Sequence, residues 1–307
     1  MRSTAHALLV LGALTLGTTT VHAAVIDGKL DPAYGPAQTT QTCMSTMGRP
    51  PGPPGQVDYS DGQALDEGFG YVENGVLYLF FSGNLDFWWS LEGTTEWLPL
   101  DVFIDCNPGG QNQLLASNPT FDYAYDLKKM AGLTFDDGFT ADYWLSLGGN
   151  LYSWPRLQAW MAELPASGGG AGGMLGYATC GGPGTLTGGT NPFGIMATLD
   201  DSNTGGVPQG CGLASGAGVT TGVEWAIPLA ALGNPTGCIR VCAFLSYGDH
   251  SALFSQVLGP LPAGSCNLGA ASSVNFAAIP GDQFFTICSL ATPVHPSSWG
   301  RLKTHYR

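Results

Sequence analysis

Charge is scarce in this chain. Only 11% of its 307 residues are Asp, Glu, Lys or Arg, against roughly 25% in an average soluble domain. Helix-favouring blocks of Ala, Glu, Lys and Leu are missing, while 46 glycines and 21 prolines punctuate the text. Gly and Pro are the poorest helix formers, which excludes a helical bundle. Gly-x-Ser-x-Gly, His-Glu-x-x-His and Cys-x-x-Cys are all absent, removing the hydrolase nucleophile elbow, the zincin helix and the commonest zinc or redox pair. Histidine is nearly absent as well: past residue 23 only His250, His295 and His305 remain, and the last two lie in the tail. No stretch after residue 23 reaches 18 consecutive apolar residues, so no membrane span is expected. Apolar material itself is not lacking. Hydrophobic residues make up 44% of the chain and aromatics 11%, enough burial to offset chain entropy and exclude a disordered polymer.

Positive charge is the scarcest kind. Ten Lys and Arg face 23 Asp and Glu, and Arg2, Arg301, Lys303 and Arg307 stand at the two extremes. The body between them therefore repels phosphate backbones and anionic lipid, which excludes nucleic acid as a partner. At the start, Arg2 precedes an apolar run from Ala7 to Leu16, and Val21-His22-Ala23 offers small residues where a signal peptidase reads. That run is too short to cross roughly 30 Å of hydrocarbon. Residues 1–23 are expected to be a secretory signal peptide cut after Ala23, placing the protein outside the cytoplasm, secreted or at the cell surface.

Eight cysteines follow that cut: Cys43, Cys106, Cys180, Cys211, Cys238, Cys242, Cys266 and Cys288. An even count in an exported chain reads as four disulfides. Spacing favours Cys180 with Cys211 across a Gly-rich stretch, and leaves the remaining connectivity open. Cys238 and Cys242 stand at i and i+4 of an apparent strand, too far apart to join each other.

Residues 24–289 read as one domain and 290–307 as a Pro/Ser linker with a short basic tail. Short alternating or apolar runs cover Ala24–Leu30, Gly70–Asn84 around the Asn74-Gly75 turn, Trp97–Asp105, Ala141–Leu147 with Leu151–Leu164, Val219–Ile227, Ile239–Tyr247 and Phe284–Cys288. Residues 165–190 and 200–218 read as Gly-rich loops. Pro228 to Gly233 carries the one helical signal, a turn opened by Pro and stopped by Gly. The expected fold is all-β, an antiparallel β-sandwich with long Gly/Pro-rich loops and one short helical turn.

Four ordered segments, IDGKLDPAYG at 26–35, NGVLYLFFSGNLD at 74–86, LDVFIDCNPGGQN at 100–112 and GVEWAIPLAALG at 222–233, carry a likeness. Together the chain resembles the family-9 carbohydrate-binding-module-like, or DOMON-type, sandwiches of secreted bacterial proteins. The resemblance implies a non-catalytic sandwich, often with a structural calcium and sometimes with a sugar site.

Sugar binding also has its own argument in the residues. Pyranose rings stack their C–H faces on Trp or Tyr while carboxylates take the hydroxyls. Trp88, Trp89 and Trp97 flank a turn rich in acids, with Asp86, Glu92 and Glu96 close by; Tyr152 and Trp154 are second candidates on an alternating strand with Trp160. Calcium prefers clustered hard oxygens, and the oxygen-rich turns are Asp58–Asp61, Asp105 with Asn107, and Asp200 with Asp201; Asx-turns explain each equally well. Paired acids at Asp136-Asp137 and Asp66-Glu67, and the neighbours Asp249-His250, are the remaining hints of catalysis. The expected function is a secreted, non-catalytic module binding a glycan or surface polymer. A structural surface or matrix protein is the alternative, a glycoside hydrolase the remoter one, and the amphipathic basic tail is a candidate docking signal for export or surface machinery.

Overall fold

The structure, a computed structural model, describes residues 23–43, 64–85, 98–121, 126–149, 156–203, 219–265 and 267–288. Within them two antiparallel sheets pack face to face, as the composition predicts. The first contains β1 (Thr39–Thr40), β2 (Ala64–Glu73), β3 (Val76–Asn84), β10 (Gly222–Pro228) and β9 (Met196–Leu199), in that order. The second runs β13 (Gly269–Ala270), β12 (Ala252–Val257), β11 (Ile239–Ser246), β4 (Leu100–Asp105), β5 (Tyr143–Gly149), β6 (Arg156–Glu163), β7 (Gly172–Thr179) and β8 (Thr187–Gly188), with β14 (Phe285–Ile287) also on β11.

Alternation decides what each strand buries. Leu77, Leu79 and Phe81 of β3, Val223, Trp225 and Ile227 of β10, and Leu100, Val102 and Ile104 of β4 fill the space between the sheets, because successive side chains of a strand point to opposite faces. Their neighbours are not released to solvent. Phe103, Trp144, Trp160, Cys242 and Phe244, on the far face of the second sheet, are covered by Leu114, Leu127, Leu133, Phe135, Phe139 and Phe276. On the far face of the first sheet Tyr34 packs on Phe69 and Phe80. All six residues of β4 are buried as a result, and that is why LDVFID reads as a continuous apolar run broken only by its aspartates.

The hairpin turn at Asn74-Gly75 is as predicted, with φ of 50° and 78°. So is the helical turn, a 3-10 turn over Leu229–Leu232 that Gly233 ends at φ 73°. Several expectations are corrected. Residues 23–30 form bends and a single bridge, Lys29 to Thr221, instead of a strand; Gly28 at φ 79° lies so close to Asp200 that a Cβ would fall 2.5 Å from its backbone nitrogen. The supposed loop at 165–190 contains β7, which holds seven registered pairs with β6 despite its glycines. Gly172 and Gly176 are tolerated there because Met161 and Thr187 backbones approach where side chains would stand.

The disulfide framework is also corrected. Cys238, just ahead of β11, bonds Cys288, just beyond β14, so the bond closes the pair that Ile239 and Ile287 begin. Cys43, Cys106 and Cys242 are thiols. Cys242 is not on the edge with Cys238; it points into the apolar layer against Phe103 and Phe244 and behaves there as a small hydrophobe. Burial, with Asp142 and Asp105 nearby, pushes the Cys106 thiol up to about 12. Cys180 lies in the core between the sheets, and Cys211 and Cys266 lie outside the described residues. Alkylation in denaturant without reductant, followed by peptide mapping, is expected to label Cys43, Cys106 and Cys242 and to leave Cys238 and Cys288 unlabelled. Labelling of the last two would refute the bond.

Candidate functional site

Strand register gathers many chain ends at one end of the sandwich. In the first sheet Ala64 pairs with Asn84, Gly222 with Ser82 and Val223 with Leu199. In the second, Leu100 pairs with Leu147 and Leu245, Gly149 with Leu157, and Arg156 with Thr179. The sheets are aligned so that these ends coincide: Gly68 lies under Phe285 and Leu258, Gly70 under Ile287, and Gln256 of β12 reaches Leu65 of β2. The residues flanking 44–63, 86–97, 150–155 and 204–218 therefore all sit on one rim.

Buried polar side chains tie those flanking residues together. Gln256 accepts from Leu65 N at 2.7 Å and donates to Cys43 O at 3.0 Å, clamping both sides of 44–63 with one amide. Asn203 donates to Gly83 O at 3.2 Å, Asn84 Oδ1 at 2.9 Å and Thr221 O at 3.1 Å, and accepts from Thr220 N and Thr221 N at 3.4 Å, which closes both sides of 204–218. Asp201 Oδ1 takes Leu85 N at 2.8 Å, the last described amide before 86–97. On the other side of that segment Ser246 N donates to Pro99 O at 3.2 Å. Burying such groups is unfavourable unless each finds a partner, and here the partners are the backbone at the roots of the long segments.

Beneath the same rim lies Asp101, the only place where acid, histidine and hydroxyl meet among the described residues. Its Oδ1 accepts from Trp144 Nε1 at 2.7 Å, and its Oδ2 takes Ser246 Oγ at 2.6 Å and His250 Nδ1 at 3.0 Å. Asp101, Ser246 and His250 are each 0% exposed. This is not a nucleophile triad. In one, the serine meets the imidazole nitrogen opposite the one that the acid holds; here Ser246 Oγ lies 3.1 Å from the same Nδ1 that faces Asp101. His250 adopts φ 61° at the end of a turn closed by its own N–H to Tyr247 O at 2.7 Å. Its sequence neighbour Asp249 is occupied elsewhere, taking Ser251 N at 3.0 Å and standing 3.9 Å from Lys129 Nζ.

The other expected residues divide sharply. Asp86, Trp88, Trp89, Glu92, Glu96, Trp97, Tyr152 and Trp154 lie outside the described residues, as do Asp58 to Asp61 and the tail 290–307. Trp160, their described companion, is a packing residue in the outer layer, stacked on Phe121 at 5.4 Å. The calcium candidates do not come together. Asp105 pairs with Arg240 at 2.9 Å, Asn107 donates to Leu232 O at 2.9 Å, and Asp200 accepts from Ser202 N in an Asx-turn. Among the described residues no three His, Cys, Asp or Glu side chains gather as a metal cage. Asp136 is buried and takes Gln283 N at 2.7 Å, while Asp137 is exposed. No helix among the described residues is long and apolar enough to cross a membrane.

Sequence reasoning missed the clamps and a further buried acid, Glu224. It stands on the outer face of β10, where Oε2 accepts from Asp27 N and Gly28 N at 2.9 Å and Oε1 from Tyr34 Oη at 2.8 Å. Burial pushes its carboxyl up to about 7 against the pull of those donors. A lone Glu inside the apolar run GVEWAIP was the available signal. Comparison with protein-family models, characterised proteins and solved structures finds no match.

Proposed function

We propose that this chain is a non-catalytic, exported β-sandwich that uses one rim to bind a glycan or a related surface polymer. The observation that carries the reading is the set of buried clamps: Gln256, Asn203 and Asp201 spend their hydrogen bonds on the roots of three long segments. A scaffold that holds loop roots in fixed positions is the usual support for a binding surface. Two segments rooted on that rim, 86–97 and 150–155, bring the residues suited to sugar: Trp88, Trp89, Trp97, Tyr152 and Trp154 for stacking, Asp86, Glu92 and Glu96 for hydroxyls. The likeness to family-9 and DOMON-type sandwiches points the same way.

A structural protein that assembles through its sheets is less well supported. Edge strands β1, β8 and β13 are two residues each and β9 four, short edges that resist edge-to-edge pairing. Among the described residues, Val25 and Phe193 are the large hydrophobic side chains left exposed. A glycan array probed with residues 24–307 is expected to retain a polysaccharide. Trp88→Ala or Trp89→Ala should then weaken retention at least tenfold with the melting temperature held. An array with no bound glycan, or variants that bind as wild type does, would overturn the reading.

A further inference from the structure

The backbone nitrogen of Ala24 occupies an unusual place for an ordinary amide. Ala23 is exposed, Ala24 is half-buried and Ile26 is in the core. Ala24 N donates to Tyr71 Oη at 2.9 Å, and the next amide, Val25 N, donates to Asp31 Oδ2 at 2.8 Å. Tyr71 is fixed by Tyr78, stacked at 4.8 Å, and by the edge of Tyr34 at 5.2 Å. Its burial, with Glu73 and Asp31 as acidic neighbours, pushes the phenol up to about 12, so the group that meets Ala24 is a neutral hydroxyl. Glu73, two residues along β2, has one carboxylate oxygen shielded from water with no hydrogen-bond partner. Among the described residues no Lys, Arg or His pairs with Asp31 or Glu73.

The phenol that receives Ala24 N thus has two acids as neighbours, Asp31 and Glu73, and among the described residues neither is paired with a cation. We propose that Ala24 N is an α-ammonium: the chain is cut between Ala23 and Ala24, and the new terminus seats on Tyr71 between Asp31 and Glu73 as a ligand built into the fold. The cut is hydrolysis by a signal peptidase. Water gives its hydroxyl to the Ala23 carbonyl and a proton to Ala24 N, and the freed amine takes a second proton from solvent. One amide donor thereby becomes three, carrying a charge beside two carboxylates. The proposal rests on the export reading but not on the glycan reading, since no residue of the rim takes part.

Two measurements test it. The full chain is expressed in a host with a secretory pathway, and the exported protein is sequenced from its amino terminus; Ala24 is expected first, and any other residue overturns the cut. Residues 24–307 are then compared, as the free terminus and with Gly-Ser appended, in wild type and in an Asp31→Asn/Glu73→Gln background. The free terminus is expected to melt about 2–4 °C higher at pH 6. That gap should close at pH 9.5, where an α-amino group that ordinarily titrates near ~8 has lost its charge, and should vanish in the double variant at either pH. The titratable groups packed around the Ala24–Tyr71 contact are Asp31 and Tyr34 on the same segment, Glu73 on β2 and Tyr78 on β3; burial raises the three phenols, which stay neutral across that range. Equal melting of the free and extended wild-type forms at pH 6 overturns the seat.

Discussion

Asp101→Ala is expected to cost several kcal/mol, on the order of 3 or more, because three buried donors lose one shared acceptor. The carboxylate is fully buried and is the common acceptor for Trp144, Ser246 and His250. Alanine leaves an indole N–H, a hydroxyl and an imidazole without that acceptor, in a space water does not reach, and each orphaned donor carries a desolvation penalty of about 1–3 kcal/mol. Ser246→Ala is a milder change, about 1 kcal/mol, because it removes one of two donors to a single oxygen. Urea melts followed by tryptophan fluorescence separate the two. An Asp101→Ala midpoint within 1 kcal/mol of wild type would mean that the trio is not a structural brace, and would reopen the question of what it does.

Asp66→Asn is expected to stabilise the protein, increasingly as pH rises above about 4. Asp66 is 1% exposed on β2, and neither carboxylate oxygen has a hydrogen-bond partner. Burial first, and then Glu67 beside it, push its carboxyl up from 3.8 to about 7. Between those values the unfolded chain has released this proton and the folded chain retains it. The stability associated with that proton is thus fully present below about pH 4, falls as pH rises and is gone above about pH 7, a change on the order of 4 kcal/mol. Glu224, raised to about 7 as well, slopes the same way, so wild type should be more stable at pH 5 than at pH 8. Asparagine cannot ionise, and the variant should lose most of the Asp66 slope and gain melting temperature at pH 8 while gaining none at pH 4. Identical wild-type and variant curves across that range would show that Asp66 has a partner in solution.

The two aspartates illustrate what patterning can and cannot convey. Asp101 stands in a strand that was legible, LDVFID, an apolar run broken by its aspartates, whereas Asp66 lies in the part of β2 ahead of the expected Gly70–Asn84 hairpin. Nothing in either stretch distinguishes an acid facing three donors from one facing none. Asp101 meets His250 and Ser246 from positions 149 and 145 residues away, whereas the adjacent acid, Asp249, which sequence offers first, turns to Ser251 and Lys129. The same limit hid β7. Its glycines read as a loop because they bring no side chains, yet they suit a strand whose neighbours press close on both sides.

Composition and periodicity by themselves determined that this protein is an all-β sandwich with few cations, a sharp Asn-Gly hairpin and a single-turn helix stopped by Gly233, because those features depend on residues within a few positions of one another. Which polar side chains are sealed, which cysteines bond and which segments share a rim were decided only by the tertiary structure. Cys238 finds Cys288 because β14 returns to the edge of β11, and Cys242 stays a thiol because its face of β11, opposite that of Ile239 and Val241, meets a phenylalanine layer. Gln256 and Asn203 clamp chain ends that two packed sheets bring together. Those outcomes depend on contacts between distant parts of the chain, and a hydrogen bond closed across 200 residues leaves no trace in the spacing of its partners.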